Sequence, residues 1–196
     1  MFDIRKLIDK DGVLRIPEVI HIASMENCEG ICCRPESIGN NSFDGVKELK
    51  ELYIPAFIKE IKWSFYECTN LERIVVDKDN PYFKDIDGVL YSKDGKELIA
   101  YPNAHCKTYQ VPAGVVKIAH SAFKSCSGIE IVRLPKSLTE IGINAFYQCN
   151  NLQAVFLPDD FQKFSKPSDN ADVNCIFIHK NQHFTLEGVL KRFPAE

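Results

Sequence analysis

The chain has 196 residues, 45% of them hydrophobic and 26% charged, with a net charge of −3. Such a composition folds around a sizeable core. No lysine/arginine cluster exceeds a pair, which argues against nucleic acid as a partner, and no apolar run approaches the ~18 residues of a membrane span.

The first residues, MFDIRKLIDKDG, are charged throughout and lack the apolar centre of an export signal. The expected location is the cytoplasm for the chain as written, or the cell surface or exterior if a leader has been removed. Residues 1–34 follow no clean repeat. Leu14-Arg15-Ile16-Pro17 resembles a strand-plus-proline element, and the whole stretch is expected to cap one end of a repeat array, since end units are atypical.

From Pro35 a period emerges. SIGNNSFDGVKELKELYIP aligns with the later SLTEIGINAFYQCNNLQAVFLP at Ile38, Gly39, Phe43, Leu49, Leu52 and Ile54-Pro55. The following coil, AFIKEIKWSFYECTNLERIVV, matches at Ile58, Ile61, Phe65, Cys68, Leu71, Ile74 and Val76, and is one residue short around Trp63. Residues 77–108 then interrupt the pattern. Val89-Leu90-Tyr91 and Leu98–Tyr101 flank an Asp94-Gly95 turn, which predicts a β-hairpin. The expectation is an insertion looping out of one coil; the alternative makes Leu98–Tyr101 a rung of the sheet.

Residues 111–158 state one motif twice. Val111-Pro112, Leu134-Pro135 and Leu157-Pro158 recur every 23 residues, as do Ile118 and Ile141, Ala122-Phe123 and Ala145-Phe146, Cys126 and Cys149, and Ile129 and Leu152. A fixed short period predicts a solenoid of stacked coils. Beyond Pro158, Phe161 and Phe164 keep the Leu138 and Ile141 positions, a polar loop follows, and Ile176–Ile178 is predicted as a last strand. Thr185 is expected to cap a short helix over LEGVLKRF. The predicted organisation is one domain over 1–196: a cap (1–34), repeats (35–158) carrying the insertion 77–108, and a second cap (159–196).

The eight cysteines do not read as a disulfide framework. Cys68, Cys126 and Cys149 each follow a slot phenylalanine by three residues, and Val46 fills that place after Phe43. A position shared with valine is a packing position, where free cysteine serves as a small hydrophobe. These thiols are expected to stay reduced.

The unit Ile-Gly-x-x-Ala-Phe-x-x-Cys-x-x-Leu-x-x-Val-x-Leu-Pro resembles the BspA-like, or Treponema-type, leucine-rich repeats over residues 35–178. The interrupting segment NPYFKDIDGVLYSKDGKELIAYP is similar to that family's insert. The resemblance implies a leucine-rich-repeat solenoid, a right-handed stack of β-rich coils with a parallel concave sheet. It also implies a role in protein binding or cell-surface adhesion.

In each rung, period-2 alternation turns the residue between two buried apolar positions outward. One outward column is expected to hold Tyr53, Val75, Gln110, Arg133, Phe156 and Phe177; a second holds Glu51, Arg73, Thr108, Ile131 and Ala154. Aromatic and aliphatic groups on such a face point to a partner. The candidate binding residues are Tyr53, Val75, Gln110, Ile131, Arg133, Phe156 and Phe177. No catalytic residue, metal ligand set or cofactor is expected. Cys175, His179 and His183 have zinc spacing only on a helix, and Ile176–Ile178 is strand-like. Asp77-Lys78-Asp79-Asn80 and Asp85-Ile86-Asp87-Gly88 lack the rest of a calcium loop and read as turns. The expected function is non-enzymatic binding of a protein or peptide on the concave sheet, with no nucleic acid. The alternatives are a surface-adhesion repeat and, behind it, an enzyme or zinc protein.

Overall fold

A computed structural model describes residues 4–18, 20–22, 31–62, 65–161, 163–164, 176–180 and 182–184. A 3-10 turn (Ile4–Leu7) precedes β1 (Val13–Arg15), β2 (Ile20–Ile22) and β3 (Ile31–Cys33). The first complete coils carry β4 (Ser37–Ile38), β5 (Glu51–Ile54), β6 (Glu60–Ile61) and β7 (Arg73–Val76). The interrupting segment forms β8 (Phe83–Ile86), β9 (Val89–Ser92) and β10 (Glu97–Ala100). The later coils give β11 (Thr108–Gln110), β12 (Lys117–Ile118), β13 (Ile131–Arg133), β14 (Glu140–Ile141), β15 (Ala154–Phe156) and β16 (Lys163–Phe164). The strands β17 (Ile176–His179) and β18 (Gln182–Phe184) follow.

The protein is a β-solenoid of parallel rungs with almost no helix. The front strands have three or four residues, and the parallel back strands two, except β10 with four. On the front, β1, β5 and β7 pair in parallel, and so do β11, β13, β15 and β17, with β18 antiparallel at the edge. On the back, β4 pairs with β6, while β10, β12, β14 and β16 form a parallel run that β9 and β8 extend in antiparallel. Inward positions of the front strands stack in register: Leu14, Leu52 and Ile74 in one ladder, Tyr109, Val132, Val155 and Phe177 in the other.

The loop around each slot aromatic turns sharply. Asn41, Ser121 and Asn144, each two residues before the aromatic, have φ near 60°, and so do Glu67, Ser125 and Gln148 two residues after one. That left-handed conformation suits Asn best among non-glycine residues. The rings then pile up. Phe123 and Phe146 stack with centroids 5.1 Å apart, Tyr101 stacks on Phe123 at 4.9 Å, and Phe43 stacks on Phe65 at 5.5 Å. Gly142 permits the close approach of coils here: a Cβ on it would lie 2.6 Å from the His120 backbone nitrogen.

The cysteine slots are buried and the thiols free, as the spacing predicts. They also do more than pack. Cys68 donates to the Phe43 carbonyl (2.8 Å), Cys126 to that of Tyr101 (3.4 Å) and Cys149 to that of Phe123 (2.9 Å). Each thiol thus ties its coil to the slot aromatic of the coil before it. Valine fills the volume but cannot supply this bond.

Three expectations change. First, 14–17 is more than a cap: β1 is a full front rung, with Leu14 against Leu52. Second, the segment 77–108 does not loop out. The Asp94-Gly95 hairpin forms as predicted, but β10 is a rung of the back sheet and Tyr101 fills an aromatic slot. Third, the front sheet is not continuous, because β7 and β11 belong to different ladders. The β8–β9 turn occupies the gap. Asp87 and Gly88 take positive φ of 51° and 82°, and the Gly88 carbonyl accepts the Ile74 amide at 2.8 Å. A Cβ at Gly88 would meet Arg73 Cβ at 2.7 Å, so only glycine fits there.

The core divides at this point. Leu90 and Ala100 join the cluster of the early coils, while Val89, Tyr91, Leu98 and Tyr101 join that of the later ones. Strand β9 is therefore a wall with both faces buried; Val89, Leu90 and Tyr91 are all 0% exposed. The Asp77–Asn80 stretch is a turn, as predicted. Buried Asn80 donates to the carbonyls of Pro55 (2.8 Å) and Ile58 (3.1 Å) and accepts the amides of Tyr82 and Phe83, fastening the insertion to the preceding coil. The predicted helix after Thr185 lies outside the described residues.

Phe146→Ala removes a ring stacked between coils, and equilibrium unfolding is expected to show a loss of about 3–5 kcal/mol. A neutral result would mean the slot is not part of the core. Burial raises the Cys68 thiol to about 12 and the Tyr109 phenol to about 12, and raises Cys126, Tyr91 and Tyr101 as well. These folded-state values lie above the ordinary 9.0 of a thiol and 10.0 of a phenol. Their contribution is complete below the unfolded values and disappears as pH climbs through the folded ones. Unfolding free energy should thus hold to about pH 9 and decline toward pH 12; a flat profile across that window would contradict the burial of these groups.

Candidate functional site

The outward face of the front strands carries the predicted columns in two separate pieces. In the early ladder Arg15, Tyr53 and Val75 lie in register, flanked by Val13, Glu51 and Arg73. In the later ladder Gln110, Arg133, Phe156 and Ile178 lie in register, flanked by Thr108, Ile131 and Ala154. Between the pieces sit the Gly88 turn and the Ala104–His105 segment. The Ala104 amide donates to the Leu71 carbonyl (2.8 Å) and the His105 ring nitrogen Nδ1 lies 3.0 Å from the Glu72 carbonyl.

Phe177 is not on this face. It is 1% exposed and packs inward against the Phe146 ring, with centroids 6.4 Å apart. The register explains the correction: Thr108 to Ile131 and Ile131 to Ala154 are steps of 23, but Ala154 to Ile176 is 22. A one-residue slip exchanges the two faces of a strand. The outward residue is Ile178, which sequence reasoning missed because the polar stretch of sequence before it carries no repeat to count the step by. Arg15 was missed as well, although Leu14-Arg15-Ile16-Pro17 carries the alternation that would have revealed it.

The later ladder holds the more distinctive chemistry. The Arg133 guanidinium lies over the Phe156 ring, 4.0 Å from its centroid, an arrangement favoured by the negative face of the ring. Arg133 is exposed, and among the described residues no carboxylate pairs with it. Gln110 reaches across to the Arg133 carbonyl (3.3 Å). Ile131 and Phe156 are half-buried, which leaves apolar surface beside the guanidinium. At the end of the column a hollow of about 380 Å³ is lined by Phe156, Leu157, Asp159, Ile178 and Lys180.

The early ladder is already satisfied internally. Tyr53 donates its hydroxyl to Asp77 (2.6 Å); that bond lowers the Asp77 carboxyl and raises the phenol. Arg73 is ion-paired to Glu51. Tyr53 and Val75 are half-buried. The face as a whole is less greasy than its sequence implies, since among the described residues the large apolar side chain most open to solvent is Tyr82 (45%), on the insertion.

Among the described residues no three metal-ligating side chains converge. Cys175 lies outside them, while His179 and His183 fall on the antiparallel pair β17 and β18. No described helix is long and apolar enough to cross a membrane.

No curated protein matches the chain. Among solved structures it is similar to the pneumococcal vaccine antigen PcpA, with 28% identity and a TM-score of 0.53 over 59% of this chain and 29% of that one. It is also similar to the leucine-rich repeat protein TpLRR of T. pallidum, with 20% identity and a TM-score of 0.50 over 89% of this chain and 71% of that one; this likeness is one of fold. The chain thus spans less than a third of the length of the pneumococcal antigen it matches. The BspA type leucine rich repeat region matches in 6 copies, over residues 26–87 and 99–181. That match covers most of the chain, which belongs to the BspA-type leucine-rich repeat family.

Proposed function

We propose that the chain is a non-enzymatic module that binds a partner protein or peptide on the outward face of the later front ladder. Membership in a repeat family built for protein interaction supports this reading. The observation that carries it is the Gln110–Arg133–Phe156–Ile178 column, where an exposed guanidinium, with no carboxylate partner among the described residues, lies over a half-buried ring. Interface energy concentrates in aromatic and arginine residues that become desolvated together. Here such a pair already stands assembled, so little side-chain freedom is lost when a partner covers it. Ile131 and the hollow beside Asp159 and Lys180 extend the face on either side. Tyr53 and Val75 lie on a separate ladder and contribute only to a partner long enough to cross the Gly88 turn.

A second reading, adhesion at a cell surface, is favoured by the likeness to a pneumococcal vaccine antigen. Both readings use the same face and differ in where the partner resides.

The test begins with proteins retained by the immobilised chain, followed by affinity measurements on variants. Arg133→Ala and Phe156→Ala are each expected to weaken the partner by about 1–3 kcal/mol without a change in melting temperature. Gln148→Ala, remote from the front strands, should leave affinity unchanged. Loss in the Gln148 variant with unchanged binding in the two sheet variants would move the site elsewhere.

A further inference from the structure

A partner that covers the later front ladder takes water away from Arg133. A desolvated guanidinium is stable only against a counter-charge and acceptors for its N–H groups. Among the described outward residues of that ladder, Arg133 alone is charged. Glu130, three residues before it, is held by Lys107 (2.8 Å). Asp159 lies past Phe156, in the hollow that Lys180 also lines. No carboxylate of the described residues pairs with Arg133. The contact with Phe156, 4.0 Å from Cζ to the ring centroid, satisfies none of the five N–H donors. The charge that closes this face therefore has to arrive with the partner.

The groups around Arg133 define the rest of the ligand. Ile131, Phe156 and Ile178 are half-buried and offer apolar surface beside the cation. Gln110 donates through Nε2 to the carbonyls of Arg133 (3.3 Å) and Val111 (3.4 Å). Its Oε1 is left as an acceptor on the exposed side of the column, and no described group donates to it. The face thus combines one site for an anion, one for an N–H donor and an apolar strip.

We propose that the partner presents an extended segment of the form Glu-x-Ile, an acid with an apolar residue two positions on. The carboxylate takes the guanidinium fork in a bidentate pair, the geometry for which arginine is suited. The apolar side chain packs on Phe156 and Ile178, and a main-chain N–H of the segment donates to Gln110 Oε1. Residues two apart share one face of an extended chain at about 6.8 Å, within reach of neighbouring rungs about 4.8 Å apart. This inference rests on the front-face reading and adds the chemistry of the partner.

The probes are fluorescein-labelled peptides of sequence Gly-Ser-Glu-Ser-Ile-Ser-Gly and its counterparts with Gln or Lys in place of Glu. They are titrated into the full chain and followed by anisotropy and by the Nε–Hε signal of Arg133. The glutamate peptide should bind and move that signal. The glutamine peptide should bind about tenfold more weakly, and the lysine peptide not at all. Arg133→Ala should erase the difference between the glutamate and glutamine peptides, and Arg133→Lys should restore only part of it. Phe156→Ala should weaken both peptides, and Gln148→Ala neither. The inference is overturned if no acidic peptide binds, if glutamate and glutamine peptides bind equally, or if their difference persists in Arg133→Ala. It is also overturned if the chain alone forms a dimer that Arg133→Ala dissolves, which would assign the face to a second copy. In any of the first three cases, a captured partner that still weakens with Arg133→Ala and Phe156→Ala leaves the front-face reading standing. A captured partner indifferent to both variants removes that reading as well.

Discussion

Parallel rungs joined by backbone hydrogen bonds rise by about 4.8 Å per coil, and the interior of this protein conforms to that step. Phe123 and Phe146 lie 5.1 Å apart at their centroids because their coils cannot approach or separate further. The same step brings the thiols of Cys68, Cys126 and Cys149 within reach of the carbonyl of the preceding slot aromatic. Gly142 is needed because any side chain there would strike the backbone one step below. The left-handed residues on either side of Phe43, Phe123 and Phe146 turn the chain fast enough to complete a coil within the period. Packing, capping and turn chemistry all answer to one spacing.

The insertion shows what happens when that step is interrupted. A hairpin cannot offer a parallel edge to both neighbours, so β9 becomes a wall between two cores and its turn closes the outgoing edge of β7. Its residues are buried on both faces, unlike those of the ordinary rungs, whose alternate residues meet solvent. The hydroxyls of Tyr91 and Tyr109, 2.6 Å apart, satisfy each other inside the later core. On the back, the same interruption leaves a groove rather than a seal. One departure from the repeat thus divides the front face, separates the two cores and opens the back.

These features bear on binding. A continuous sheet would present one long column; the divided sheet presents two patches of different character. The early patch has its polar groups occupied by one another, Tyr53 by Asp77 and Arg73 by Glu51. The later patch keeps Arg133 available above Phe156. A partner that uses the later patch needs fewer prior contacts to be broken, which favours that patch wherever the two compete.

The sequence alone determined the coil. Its period fixed the slot aromatics, the buried isoleucines, the cysteine slots and the outward positions of Tyr53, Val75, Gln110, Ile131, Arg133 and Phe156, because stacked identical units leave little freedom in which residue faces which. The Asp94-Gly95 hairpin was legible from local turn chemistry in the same way. The sequence did not determine what depends on register between unlike segments. Whether Phe177 or Ile178 faces outward rested on a single residue of step length across a stretch of sequence without repeat. Whether 77–108 would stand outside the stack or divide it depended on Leu90 and Ala100 turning to one core while Val89, Tyr91 and Leu98 turned to the other. Local pattern could not decide either, because both outcomes use the same strands and differ only in the neighbours those strands find.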